Sequence, residues 1–306
     1  MAGPYAPPVG QNGCTAIHKD SSVFVGWATI STISRGWMDV SNIALGKANI
    51  GNDTSATNKS GVNGVVSLGD NGSATLTFNG KIYDGPGADF AVFENSFDGL
   101  FLELAFVEVS SDGINFYRFD AQSLTDTSIQ TSSFGNTDAT NLYNLAGKYR
   151  SQYGTPFDLN ELTGITGLDI NNITHVRVVD VVGDITESYA TYDAQNRPIN
   201  DPWPTPFASG GFDLDAVGVI NYTPTSINEE GNTIYLSIYP NPAVDIVYFN
   251  VDPEKNYTYR LTNISGSILY SGKLQHQLDV SQLKAGIYFI HISSKDQLVV
   301  KKIIKK

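Results

Sequence analysis

The sequence contains one cysteine, Cys14, in 306 residues. A single thiol cannot form an intramolecular disulfide, and it cannot supply a cysteine-based zinc site. No apolar run approaches the roughly 20 residues that a membrane-spanning helix needs. The sequence therefore predicts neither a disulfide scaffold nor insertion into a membrane.

Basic residues are scarce in the first three quarters of the chain. Residues 1–225 hold 10 Lys and Arg against 24 Asp and Glu, a net charge of −14, whereas residues 226–306 hold 9 against 7, a net charge of +2. A surface this negative repels nucleic acid and anionic lipid at long range. We therefore expect no nucleic-acid partner, and cations, neutral ligands or basic partners fit better.

Motifs that specify catalysis are also lacking. The sequence has no G-x-S-x-G nucleophile elbow, no phosphate-binding loop and no dinucleotide fingerprint. Glu94 and Glu103 could form the carboxylate pair of a glycosidase, but paired acids are expected by chance in so acidic a region. The sequence therefore favours a non-catalytic protein, and an enzyme is the alternative.

Glycine, Tyr and Phe are abundant. Short segments of alternating apolar and polar residues recur along the chain, and turn residues separate them. This profile predicts an all-β protein, and the length predicts two domains. The polar stretch from about Tyr222 to Asn232 has no apolar face to bury, which indicates a linker between two domains. The predicted division is a sandwich domain at 1–224, a linker at 225–232 and a small β-sandwich at 233–306.

The last segment carries several motifs in a fixed order. They are Tyr239-Pro-Asn-Pro-Ala243, an Asn-Ile-Ser-Gly turn at 263–266, Leu283-Lys-Ala-Gly-Ile-Tyr-Phe-Ile290 and the basic end Lys301-Lys-Ile-Ile-Lys-Lys306. Together they resemble the type A sorting domain of the Bacteroidetes type IX secretion system. The resemblance implies an immunoglobulin-like fold, Sec export, recognition by the outer-membrane translocon and a secreted or surface-anchored protein. It also implies that the sorting domain is usually removed.

The first segment has a looser resemblance. Val107-Glu-Val-Ser-Ser-Asp-Gly-Ile-Asn-Phe116, Ile173-Thr-His-Val-Arg-Val-Val-Asp180 and Gly211-Phe-Asp-Leu-Asp-Ala-Val-Gly-Val-Ile220 are similar to core strands of galactose-binding-like jelly rolls. The whole segment also resembles uncharacterised Bacteroidetes cell-surface proteins. The resemblance implies a jelly-roll β-sandwich and, by analogy of fold alone, a carbohydrate ligand.

Acidic residues in this domain suggest a cation. Strict alternation in the closing strand would place Asp213 and Asp215 on the face of Val217 and Val219, where unpaired carboxylates are costly. Ca²⁺, which prefers oxygen ligands, would compensate them, and galactose-binding-like jelly rolls often hold a structural Ca²⁺ near this strand. The predicted metal ligands are Asp20, Asp89, Glu94, Asp213 and Asp215. The alternative is that these acids cap turns and accept backbone N–H bonds.

A long polar loop at 183–211 supplies the candidate ligand site. It contains four aromatic residues that could stack on a sugar ring, namely Tyr189, Tyr192, Trp203 and Phe207. The alternative is that Trp203 and Phe207 fold back as a small core of the loop itself.

The function predicted from the sequence is binding at the cell surface. We expect a secreted or surface-anchored, non-catalytic protein that binds a glycan and is exported by type IX secretion. One alternative is capture of a nutrient such as a corrinoid for an outer-membrane transporter. Another is a glycoside hydrolase or esterase on a jelly-roll scaffold.

Overall fold

The structure is a computed structural model that describes residues 2–224, 237–250, 256–294 and 297–306. The chain divides into two compact units, Met1–Ser226 and Ile227–Lys306. The predicted linker at 225–232 lies outside the described residues. Among those residues, no helix is long and apolar enough to cross a membrane.

Short strands make up most of the regular structure of the first unit. In chain order they are β1 (Ile17–His18), β2 (Gly26–Trp27), β3 (Ile30–Ser34), β4 (Val66–Ser67), β5 (Ser73–Ile82), β6 (Phe90–Glu94), β7 (Ala105–Ser110), β8 (Tyr117–Arg118), β9 (Gln122–Ser123), β10 (Leu142–Tyr143), β11 (Tyr153–Phe157), β12 (Ile173–Asp180), β13 (Asp213–Val219) and β14 (Tyr222–Pro224). Three 3₁₀ turns accompany them, at Ile43–Leu45, Ala139–Asn141 and Leu159–Leu162.

Twelve of the strands form two antiparallel sheets that enclose one core, and β9 and β10 pair with each other in a separate two-stranded sheet. One sheet has the order β1-β11-β6-β13-β2, with β4 also on β13, and the other has the order β14-β5-β12-β7-β8, with β3 also on β5. Val92 and Val217 of the first sheet and Val107, Val176 and Val178 of the second belong to the same buried cluster. The all-β sandwich predicted from the sequence is confirmed, and its kinship to galactose-binding domains stays a prediction.

A β-bulge in β13 changes which residues face the core. Leu214 pairs with Glu94 and Ala216 pairs with Phe93, so Asp215 is the extra residue. The alternation therefore shifts by one position, and Leu214 joins Val217 in the core cluster. The prediction that Asp213 shares the core face of the valines is wrong, because strict alternation does not anticipate a bulge.

The second unit is a smaller pair of sheets. Its strands are β15 (Ser237–Tyr239), β16 (Ile246–Asn250), β17 (Thr258–Asn263), β18 (Ile268–Lys273), β19 (Gln277–Asp279), β20 (Gly286–Ser294) and β21 (Gln297–Lys305). The sheets have the orders β15-β16-β19 and β18-β17-β20-β21. Leu261, Ile290, Ile292 and Ile303 are fully buried in the core between them. This is the small β-sandwich that the turn spacing predicts.

Candidate functional site

A cleft of about 350 Å³ lies at the end of the first sandwich where β6 stops and β13 begins. Three loops contribute to it, at 95–103, 133–134 and 205–209, together with the first residue of β13. Its lining residues are Asn95, Ser96, Phe97, Phe101, Glu103, Ser133, Phe134, Thr205, Phe207, Ser209 and Asp213. The volume is at the lower end of the range for small-ligand sites.

Four phenylalanines form a continuous row along this cleft. The ring centroids of Phe97 and Phe101 are 5.2 Å apart, those of Phe101 and Phe134 are 5.9 Å apart, and those of Phe134 and Phe207 are 5.6 Å apart. Phe97 is 73% exposed, Phe134 is 67% exposed and Phe207 is 41% exposed. Contiguous exposed apolar patches beside a cleft often mark a binding site.

Hydrogen bonds hold the loop between β6 and β7 in shape. Asp98 Oδ1 accepts from the backbone N–H groups of Leu100 and Phe101, each at 2.8 Å. The Ser96 hydroxyl donates to the carbonyl oxygens of Asp98, at 2.8 Å, and Phe101. These bonds close a tight turn that presents Phe97 outward and Phe101 inward, so the wall of the cleft is pre-organised.

The other two loops are joined to each other. The backbone N–H of Trp203 donates to the Thr131 carbonyl at 3.0 Å, and the Ser133 hydroxyl donates to the Pro204 carbonyl at 2.6 Å. These bonds bring Phe134 beside Phe207, although the two residues are far apart in the sequence.

Buried carboxyl groups surround the floor of the cleft. Burial raises the pKa of Glu103, and the nearby Glu94, Asp213, Asp201 and Asp180 raise it further. Burial also raises the pKa of Asp213 to about 6 and that of Asp70 to about 6. None of the six groups Asp70, Glu94, Glu103, Asp180, Asp201 and Asp213 forms a salt bridge within the described part of the chain.

Some of these carboxyl oxygens have no partner. Asp213 accepts from the hydroxyl of Ser67 and, at 3.2 Å, from the side-chain amide of Asn95. In contrast, Glu94 Oε1 and Asp201 Oδ1 are buried and accept no hydrogen bond from the described residues. Buried polar atoms normally have partners, and exceptions often mark functional positions.

The five predicted metal ligands do not meet at one place. Asp20 is exposed and pairs with Lys59 at 2.6 Å. Asp89 precedes β6 and Glu94 ends it, which separates them by roughly 17 Å along an extended strand. Asp215 accepts from the Ser60 hydroxyl at 2.5 Å and from the Gly61 N–H at 2.9 Å.

A different set of three acids does come together. Ligand oxygens of Asp84, Asp89 and Asp158 all lie within 4.8 Å of one another. Asp89 is buried and accepts from the N–H groups of Gly85 and Leu159 and from the Asn221 amide. Asp84 Oδ1 is buried and has no hydrogen-bond partner in the part of the chain that the structure describes. Only Asp89 of this set was among the predicted ligands.

The four aromatic residues that were predicted to bind the ligand also lie in different places. Phe207 lines the cleft, where it contacts Phe134. Trp203 packs on Tyr189, with 6.3 Å between ring centroids, and its indole N–H donates to Asp70 Oδ2 at 3.3 Å. Tyr192 forms an isolated bridge with Pro198. Sequence reasoning missed Phe97 and Phe134, whose signal was a lone Phe among turn-forming residues.

Comparison with known proteins identifies one part of the chain. Residues 237–306 match a family described as the secretion system C-terminal sorting domain. No curated protein matches the chain. Similar solved structures include β-glucuronidase of Faecalibacterium prausnitzii, with 11% identity and a TM-score of 0.24, covering 92% of this chain and 46% of that one. Another is Ruminococcus gnavus β-glucuronidase in complex with uronic isofagomine, with 10% identity and a TM-score of 0.25, covering 100% and 46%.

This chain therefore spans less than half the length of those enzymes, and its TM-scores to them are low. The match at the C-terminus is specific, and it agrees with the motifs from Tyr239 to Lys306. Residues 237–306 are a type IX secretion sorting domain, and the protein is secreted or displayed at the cell surface and interacts with the type IX secretion machinery.

Proposed function

We propose that the first unit is a glycan receptor and that the cleft beside Phe97, Phe101, Phe134 and Phe207 is its binding site. The observation that carries this proposal is the row of exposed phenylalanine rings next to a polar floor. A sugar ring has an apolar face that packs on aromatic rings and an edge of hydroxyl groups that need hydrogen bonds. Carboxyl, amide and hydroxyl groups at the floor supply both donors and acceptors.

Replacing Phe134 tests this site. Covering an exposed phenylalanine contributes about 1.5–3 kcal/mol, so Phe134→Ala should weaken glycan binding by roughly 10-fold to 100-fold. The measurement is binding of the full chain to a glycan array, with cobalamin assayed in parallel. Ile114→Ala is the control, because Ile114 is also exposed and lies at the opposite end of β7.

Two results would contradict the proposal. One is an array with no saturable binding, and the other is equal binding by wild type and Phe134→Ala. Saturable binding of cobalamin in place of glycans would instead support nutrient capture.

Hydrolysis is the second candidate function. Glu103 and Asp213 both line the cleft, and burial raises the pKa of Glu103 well above its ordinary value, which favours the protonated form that a general acid needs. Burial raises the pKa of Asp213 only to about 6, so near pH 7 it is mostly the carboxylate that a base or nucleophile needs. The test is incubation of a bound oligosaccharide with wild type and Glu103→Gln. Cleavage by the wild type alone would establish that the protein is an enzyme. An oligosaccharide that stays intact with both proteins would contradict hydrolysis and support the receptor.

Calcium is a further proposal for the first unit, at Asp84, Asp89 and Asp158. Hard cations prefer carboxylate oxygens, and the buried Asp84 Oδ1 lacks a partner. Ca²⁺ at 100 times its Kd would add about 2.7 kcal/mol to the free energy of unfolding. We expect a chelator to lower the Tm, and Asp84→Asn to remove the response while Asp20→Asn keeps it. Superimposable melting curves with Ca²⁺ and with chelator would refute the metal.

A further inference from the structure

Glu103 is a buried acidic residue in the lining of the cleft. It is 7% exposed and lines the cleft, and its carboxyl group has no hydrogen-bond partner among the described residues. A carboxyl group this deeply buried is costly unless something pairs with it. No protein group does so here, which points to a partner that arrives with the ligand.

The charge around Glu103 has one sign. The cleft lining contains two acidic residues, Glu103 and Asp213, and no Lys, Arg or His. Glu94, Asp180 and Asp201 lie close enough behind Glu103 to act on it electrostatically. Arg35 acts electrostatically on Asp213, but it does not line the cleft, and its guanidinium donates to the carbonyl oxygens of Ile50 at 2.7 Å and Gly51 at 2.6 Å. The residues that line the cleft therefore include no cation that could pair with Glu103.

The aromatic row favours the same kind of ligand. The face of a phenylalanine ring attracts a cation, and this attraction increases when water is excluded. Rings beside an unpaired carboxyl group are therefore complementary to an ammonium group attached to an apolar surface, because the ammonium would stabilise the ionised form of Glu103, whose proton then leaves to water. A uronic acid would place a second negative charge in the same site and would be repelled.

We infer that the ligand is an amino sugar with a free amine, whose ammonium group pairs with Glu103 while the sugar ring packs on Phe134. This inference rests on the proposed glycan-binding function and specifies the class of glycan. A charge-assisted hydrogen bond contributes about 1.5–3 kcal/mol, which corresponds to roughly 10-fold to 100-fold in Kd.

The test compares oligomers of glucosamine and of N-acetylglucosamine of equal length, titrated calorimetrically into the full chain. We expect the free-amine oligomer to bind at least about 10-fold more tightly. Glu103→Gln should abolish that difference by weakening the free-amine oligomer alone. Glu187→Gln is the control for general attraction to an acidic surface, because Glu187 is exposed and lies outside the cleft.

The outcomes separate the two proposals. Equal or tighter binding of the acetylated oligomer would overturn the amine inference and leave glycan binding intact. Equal loss in Glu103→Gln and Glu187→Gln, or no loss in either, would show that only the overall negative charge attracts the amine and would also overturn it. If neither oligomer binds, the amine inference fails, and an empty glycan array would remove the proposed function with it.

Discussion

Deleting Gly286–Lys306 is expected to abolish surface display and to leave the protein in the periplasm of a host with type IX secretion. The deletion removes β20 and β21, which are two of the four strands of one sheet. It also removes Ile290, Ile292 and Ile303 from the core of the second unit. The remaining strands cannot bury their apolar face, so the fold that the translocon recognises is lost.

A matched pair of point variants gives the same test without a deletion. Ile290 is fully buried and Ile287 is exposed, although both lie on β20. Ile290→Asp should abolish display, because an unpaired carboxylate in the core unfolds a small sandwich, whereas Ile287→Asp should keep it. The measurement is surface labelling of intact cells with fractionation of the periplasm. Undiminished display of the truncated protein would contradict the assignment.

The first unit is expected to become less stable as the pH rises from about 4 to about 6.5. Burial raises the pKa of Asp70 and of Asp213 from 3.8 to about 6, so the folded state binds protons more tightly than the unfolded state. The resulting stability is complete below the unfolded pKa and is lost as the pH passes the folded pKa. Each group then accounts for a loss of roughly 3 kcal/mol in the free energy of unfolding.

Tryptophan fluorescence isolates this effect, because Trp27, Trp37 and Trp203 are the only tryptophans and all lie in the first unit. Denaturant unfolding should show that Asp213→Asn flattens the pH dependence and stabilises the protein at pH 7. Asp20→Asn should leave the pH dependence nearly unchanged, because Asp20 is exposed. A free energy of unfolding that rises between pH 4 and pH 6.5 in wild type would contradict the pKa directions of the buried acids.

Much of the fold follows from local patterns in the sequence. The segment Ile173–Asp180, which resembles a core strand, is β12 with the same bounds, and the segment Gly211–Ile220 contains β13. The short alternating segments bounded by turn residues also predict the β-sandwich class of the second unit. Alternation and turn chemistry act over a few residues, which is why these features can be read directly.

The site could be predicted only in part, because it depends on contacts between distant loops. Phe134 meets Phe207 through hydrogen bonds that no spacing in the sequence encodes. The bulge at Asp215 turns Asp213 away from the face that alternation predicts. Phe207 was therefore recognised from the composition of its loop, whereas Phe97 and Phe134 required the structure.

Protection of a single thiol in the cleft tests the central claim most directly. Ser209 is exposed and lines the cleft, so Ser209→Cys in a Cys14→Ser background places one reactive group at the site. Ile114→Cys is the control, because Ile114 is 81% exposed and lies roughly 20 Å away along β7. We expect the bound glycan to slow alkylation of Ser209→Cys by at least about 10-fold and to leave Ile114→Cys unaffected. Equal alkylation rates at Ser209→Cys with and without saturating glycan would contradict the cleft as the binding site.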